Sequence, residues 1–204
     1  MFITFEGVEG SGKTTVAKAI TKVLKDDGHE VFFTREPGGN KIAEKIRDVI
    51  LDKCNTDMDA RCEALLYAAA RRQHLVDVID PALEVGKVVI CDRFVDSSIA
   101  YQGYARGIGS ELVEYVNEFA ISGTRPDLTF FLDVKPEVGL GRIGKDKNRE
   151  VNRLDLEDFD FHLAVYKGYQ DLARKYSCRI QVINGEREVA DIATEIYQLI
   201  KVRL

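Results

Sequence analysis

Apolar residues along the chain follow two rhythms that alternate: short β-branched or aromatic runs, and longer stretches with an apolar position every three or four residues. The short runs at 1–5, 29–34, 87–91, 127–134 and 179–183 predict five strands. Helical spacing predicts helices over about 13–27, 41–51, 110–121, 155–176 and 189–202, with a shorter piece near 97–102. Gly28 suits the C-terminal cap of the first helix, and Ile42, Ile46, Val49 and Ile50 share one face of the second. Asp57 or Asp59 is expected to cap a long helix reaching about Asp80, where Pro81 forces a kink or a restart. Pro136 fits the first turn of a helix ending near Gly144. Strands alternating with helices predict an α/β fold, a five-stranded parallel sheet with helices on both faces. No repeat or low-complexity linker divides the chain, so 1–204 is expected to form a single domain.

Chemistry enters at the end of the first strand. Gly7-Val8-Glu9-Gly10-Ser11-Gly12-Lys13-Thr14 matches the phosphate-loop pattern of Gly, four residues, Gly-Lys-Ser/Thr. Its glycines let consecutive N–H groups converge on phosphate oxygens, and the helix starting near Lys13 adds its positive end. In this motif Lys13 serves the β/γ-phosphates and Thr14 supplies a hydroxyl ligand for Mg²⁺. A Gly-rich turn that binds nothing is the bland alternative, disfavoured by the strand before the motif and the helix after it. The fold expected is therefore that of a P-loop NTPase. Ligands in such sheets gather at the carboxyl ends of strands. The phosphate loop, the loop at 35–39 and Asp92-Arg93 should share one cleft, and the polar stretch at 145–152, within a lid of about 142–153, should hang over it.

Bulk properties narrow the partners. A net charge of −5 argues against binding a nucleic acid polymer. No apolar run approaches the roughly 20 residues of a membrane span, and with the first strand read at 1–5 no signal peptide is expected. Cys54, Cys62, Cys91 and Cys178 lack paired spacing and His29, His74 and His162 are scattered, so reduced thiols in a cytoplasmic protein are expected rather than zinc.

A phosphate loop serves switches, motors and kinases alike. A GTPase switch needs Asn-Lys-x-Asp, but Asn40-Lys41 is followed by Ile42-Ala43, and no Asp has Gly three positions later. A kinase acting on a monophosphate needs a cationic pocket for its acceptor and mobile cations over the transferring group. Arg35, Arg47, Arg71 and Arg93 are candidates for the pocket; Arg142, Lys145, Lys147, Arg149 and Arg153 are candidates for the lid. Any one of them alone could be solvated surface. No Ser-His-Asp or Cys-His constellation stands out, and a phosphate with second pKa of about 6 needs no strong base.

Several motifs taken together resemble bacterial thymidylate kinase. They are Phe5-Glu6-Gly7 running into the phosphate loop, Thr34-Arg35-Glu36-Pro37-Gly38-Gly39, Asp92-Arg93-Phe94-Val95-Asp96-Ser97-Ser98, Ala100-Tyr101-Gln102-Gly103, Pro126-Asp127-Leu128-Thr129 and Asn152-Arg153-Leu154-Asp155. The resemblance runs from Met1 to about Tyr169. It implies Mg·ATP and dTMP as substrates, direct in-line transfer giving ADP and dTDP, and a homodimer. By it, Glu9 accepts from the sugar 3′-hydroxyl, Asp92 holds Mg²⁺ with Thr14, and Arg93 pairs with the acceptor phosphate. Tyr67 stacks on thymine, Arg71 bonds its edge, and Ser97 or Ser98 with Gln102 completes base recognition. Tyr101 crowds the 2′ position, Arg35, Glu36 and Arg47 belong to the acceptor side, and lid arginines among Arg142, Arg149 and Arg153 take the transition-state charge. Two departures stand out: Asn40-Lys41-Ile42-Ala43 replaces the family's common Pro and Gly after Gly39, and the phosphate loop carries no Arg. A kinase for another nucleoside monophosphate and a non-catalytic nucleotide switch are the alternatives.

Overall fold

The computed structural model describes residues 1–145 and 152–204. Strands β1 (Phe2–Glu6), β2 (Val31–Arg35), β3 (Val88–Asp92), β4 (Leu128–Asp133) and β5 (Ile180–Asn184) pair in parallel in the order β2-β3-β1-β4-β5. The helices are α1 (Lys13–Asp26), α2 (Lys41–Leu51), α3 (Ala60–His74), α4 (Asp80–Glu84), α5 (Val95–Ser98), α6 (Ser110–Ile121), α7 (Pro136–Ile143), α8 (Phe159–Lys175) and α9 (Val189–Lys201). The α/β class and the five-stranded parallel sheet expected from the sequence are both found.

Every residue of β1 and β3 is buried, as strands covered on both faces require. Their alternation sorts the side chains. Ile3, Phe5, Ile90 and Phe130 pack with Val16, Ile20 and Leu24 of α1 and Ile192 and Ile196 of α9. Phe2, Val89, Cys91 and Phe131 pack on the opposite face with Ile99 and with Val165, Tyr169 and Leu172 of α8. Each fully buried Ile or Phe contributes about 1.5–3 kcal/mol of transfer free energy. The register then positions the chemistry: Phe5 pairs with Asp92 and Arg35 pairs with Asp92, so three strand ends finish level with one another.

The structure decides two choices that the sequence left open and departs from the sequence reading in two further places. Asp59, not Asp57, caps α3, accepting from the backbone N–H groups of Arg61 and Cys62. The restart expected at Pro81 is found: residues Leu75–Ile79 widen into a π-helical turn after α3, and α4 starts at Asp80 with Pro81 in its first turn. Proline lacks an N–H and its ring crowds the carbonyl four residues back, and a wider turn relieves both. Residues Ile99–Ala105 form a second π-helical segment after α5, where a short ordinary helix was expected. The long helix expected from about Asp155 starts later. Asn152 and Asp155 close a capping box around a 3₁₀ turn at Arg153–Leu156, and Asp158 caps α8 by accepting from Phe161 N.

Candidate active site

The phosphate loop leaves β1 through backbone that glycine tolerates, with φ of 151° at Gly7, 71° at Gly10 and 86° at Gly12. No side chain caps the N-terminus of α1, which leaves its first N–H groups directed at the loop's concavity. Lys13 is buried and its Nζ donates to Val8 O at 3.3 Å. Burial and then the Arg93 charge lower its pKa, while Glu9, Asp92 and Glu6 oppose that shift. The hydroxyl of Ser11 is buried with no hydrogen-bond partner among the described residues. Against the outer side of the loop lies α7, close enough that a Cβ on Gly139 would come within 2.2 Å of Glu9 O. This contact holds Arg142 beside the loop, where both its terminal nitrogens donate to Gly185 O at 3.2 Å.

Asp92 ends β3 directly beside the start of α1, and Thr14 Oγ1 donates to its Oδ2. The other carboxylate oxygen, Oδ1, is buried without a partner among the described residues. A hydroxyl and an unsatisfied carboxylate oxygen next to a phosphate cradle are hard oxygen donors of the kind Mg²⁺ takes. These residues fit the ion that the sequence assigns to Thr14 and Asp92.

Arg93 follows in a left-handed conformation, φ 74°. Its Nη2 donates to Glu9 Oε1 at 2.6 Å and to the Tyr101 hydroxyl at 3.1 Å. Its Nη1 donates to Gly7 O, Ser97 Oγ and the Tyr169 hydroxyl at 3.1–3.2 Å. The guanidinium also lies over the Tyr101 ring, 5.0 Å from its centroid. Tyr101 donates in turn to Glu9 Oε1 at 3.1 Å. Three residues singled out separately from sequence, Glu9, Arg93 and Tyr101, thus form one cluster. Beneath it sit Glu6 and Tyr169, which residue chemistry alone did not single out. Glu6 entered only as part of the Phe5-Glu6-Gly7 motif with no role of its own, and Tyr169 is over 160 positions away from it in sequence.

A cavity of about 550 Å³ extends from Gly10, Gly12, Lys13, Thr14 and Thr15 to Tyr67, Arg71, Ser97, Ser98 and Gln102. Arg35, Glu36, Arg47, Asp92, Arg93, Glu9, Tyr101 and Arg142 line the same space. Tyr67 and Arg71, one turn apart on α3, are both buried. Arg71 donates Nε to Glu36 at 2.7 Å, Nη1 to Ser98 and Asn117, and Nη2 to Phe94 O at 3.0 Å. Those bonds use four of its five N–H groups, which leaves one on Nη2 for a ligand. Glu36 is held from its other side by His74 Nδ1 at 3.0 Å, and His74 Nε2 meets Thr34 Oγ1 at 2.7 Å. Glu36, His74 and Cys91 lie close enough to share an ion, but Glu36 and His74 are tied into the loop's support. Arg35 pairs with Glu44 at 3.0 Å and shares Pro37 O with Arg47. Asn40, the departure noted in the sequence, caps α2 by accepting from Ala43 N at 2.7 Å.

The lid candidates separate. Arg142 lines the cleft. Arg153 instead is buried, donating Nε to Ile50 O at 2.9 Å and pairing with Glu63. Glu63 also takes Gln102 Nε2 at 2.9 Å and Arg106. Burial alone would raise the Glu63 pKa, but the bonds from Arg153 and Gln102 and the nearby arginine charges outweigh it and lower the value. Arg149 and Lys147 lie outside the described residues.

Comparison with known proteins agrees with this arrangement. The family model described as thymidylate kinase matches residues 5–196. A thymidylate kinase of Clostridium novyi is 59% identical over 200 residues, 98% of either chain. One from Geobacillus thermodenitrificans is 54% identical over 203 residues, covering 100% of this chain and 90% of its own. The crystal structure of thymidylate kinase from Ehrlichia chaffeensis superposes with a TM-score of 0.79 at 34% identity, over 98% of each chain. A phosphate loop and an arginine-lined second pocket in one cleft, on a chain this similar throughout its length, place it in the thymidylate kinase family, and its activity is that family's phosphorylation of dTMP to dTDP.

Proposed function

We propose that transfer is direct and in line, from ATP in the phosphate loop to dTMP in the pocket between α3 and the Arg93 turn, with no phosphoenzyme. The observation that carries this reading is Glu9. It belongs to the phosphate loop, yet its carboxylate lies 2.6 Å from Arg93, so the donor and acceptor sites share one element. Reacting groups held on one rigid element need little further ordering to reach the transition state.

The residue roles that the resemblance implies are supported by where these side chains line the cleft. Gly7, Val8, Gly10, Ser11 and Gly12 shape the donor cradle, and Lys13 balances charge on the migrating phosphoryl group. Thr14 and Asp92 hold Mg²⁺, which when bound neutralises phosphate charge. Arg93 takes the dTMP phosphate in its fork, a geometry that lysine lacks. Glu9 accepts from the 3′-hydroxyl, and Tyr101 closes the space at the 2′ position. Tyr67 stacks on the base, and Arg71, with Ser97, Ser98 and Gln102, reads its edge. Arg35, Glu36 and Arg47 complete the acceptor wall. Arg142 is the lid-end arginine with access to the donor phosphates, and Arg149 is a candidate for the same role, whereas Arg153 is engaged by Glu63. We propose as well that the whole chain acts as one kinase domain, working as a cytoplasmic homodimer. An exposed apolar row supports self-association: Leu112, Tyr115 and Phe119 on α6, with Leu65 on the neighbouring α3, where Phe119 is 88% exposed. Among the described residues no helix is long and apolar enough to cross a membrane.

The test is ADP release measured across dTMP, dUMP, UMP, AMP, CMP and GMP. The highest kcat/KM is expected for dTMP, with UMP far below dUMP. Equal use of UMP and dUMP would remove the sugar role of Tyr101, and preference for AMP, CMP or GMP would overturn the thymidylate pocket.

A further inference from the structure

Arg93 can bind an acceptor phosphate only if its turn and its fork are held in place, and the groups that do this converge on one buried carboxylate. Glu6 is the last residue of β1 and is fully buried. Its Oε1 accepts from Phe94 N at 2.7 Å, the peptide N–H immediately after the left-handed Arg93. Its Oε2 accepts from Ser97 Oγ at 2.5 Å and from the Tyr169 hydroxyl at 3.0 Å. Those same two oxygens accept from Arg93 Nη1, at 3.2 and 3.1 Å.

A hydroxyl has one proton to give and lone pairs with which to accept. Ser97 and Tyr169 receive N–H groups from Arg93, so their protons must point elsewhere. The two hydroxyls lie 2.8 Å from each other, and both also reach Glu6 Oε2, which in its ionised form is acceptor-only and can take both protons. The other nearby carboxylate, Asp96, is occupied by the fork of Arg179 at 2.7 and 2.8 Å.

We propose that Glu6 is the positioning residue for the acceptor-phosphate arginine: it fixes the turn through Phe94 N and turns the lone pairs of Ser97 and Tyr169 toward the guanidinium. Glu6 itself is outside the set of residues lining the cavity, so it acts through Arg93 rather than by touching dTMP. The inference rests on the reading that Arg93 receives the dTMP phosphate.

Glu6→Gln is the test, because the amide keeps the size of the side chain but replaces one acceptor oxygen with a donor. Either Phe94 N loses its acceptor, or Ser97 and Tyr169 both lose theirs and a hydroxyl reverses to face Arg93 with its proton. The KM for dTMP should rise about tenfold or more while the KM for ATP stays within about twofold, the scale expected for one lost buried acceptor. A merely structural role would move both constants together, and that result in a folded variant overturns the proposal. Arg93→Lys in parallel keeps the underlying reading separate. If Arg93→Lys leaves the KM for dTMP unchanged, Arg93 is not the phosphate residue. If Arg93→Lys raises it but Glu6→Gln does not, Arg93 stands and Glu6 falls. Should Glu6→Gln fail to fold, Tyr169→Phe removes one of the two hydroxyls while keeping its ring. A selective rise of about threefold or more in the KM for dTMP supports the relay, and no change refutes it.

Discussion

Arg93 holds a backbone conformation that non-glycine residues seldom adopt, and the groups that keep it there are all buried or charged. The most informative of them is Glu6. Burial, and then the Asp96 carboxylate, push its pKa up to about 7 from 4.5, against bonds from Ser97 and Phe94 N and the Arg93 charge. Lys13, Arg179 and Tyr169 also face it. An acid whose pKa is higher folded than unfolded binds its proton more tightly in the folded state. Its contribution to stability is therefore complete below about 4.5 and is lost as the pH rises through about 7. Wild type should lose stability relative to Glu6→Gln between about pH 5 and about pH 8, read as the difference between urea unfolding curves. A difference that stays flat, or one that slopes the other way, would mean that Glu6 does not titrate in this window.

Among the elements, the contact of α7 with the phosphate loop has the least room to spare. Gly10 and Gly139 face each other so closely that a Cβ on Gly10 would meet Gly139 O at 2.1 Å. Gly139→Ala should push α7 off the loop, at a cost of about 1–3 kcal/mol for overpacking. Because Arg142 sits three residues further along α7, the same shift should lower kcat along with the thermal midpoint. An unchanged kcat in a destabilised variant would show that the loop and Arg142 tolerate the displacement. Lys13→Ala gives the reference for lost phosphate stabilisation: a kcat lower by roughly 10²-fold or more in a folded protein, with near-normal turnover sinking the phosphate-loop assignment.

For the whole molecule the open question is assembly. Tyr115 is 76% exposed and Phe119 88%, on a helix whose opposite face supplies Val113 and Asn117 to the interior. In the homodimer we propose, a second copy of this chain covers these exposed rings. Sedimentation of Phe119→Glu should show a monomer at concentrations where wild type is dimeric. A wild type that sediments as a monomer, or a variant that stays dimeric, would move the interface elsewhere or remove it.

What the sequence determined by itself was whatever local pattern can encode. The five apolar runs became five strands, Gly10, Gly12, Lys13 and Thr14 announced a phosphate cradle, and Asp92-Arg93 at a strand end announced a second ligand site. Local chemistry suffices there, because strand periodicity, left-handed glycines and a helix N-terminus act over a few residues. Only the tertiary structure decided which charged groups meet. Arg153 looked like a free lid cation, yet it is paired with Glu63, 90 positions away, because the 3₁₀ turn at Arg153–Leu156 folds back onto α2 and α3. Glu6 had no role assigned from sequence; it sits beneath Arg93 because β1 lies between β3 and β4, and α8 carries Tyr169 across the face they share. Such pairings depend on strand order and helix placement, which are settled by burial over the whole chain and leave no mark in the spacing of any one segment.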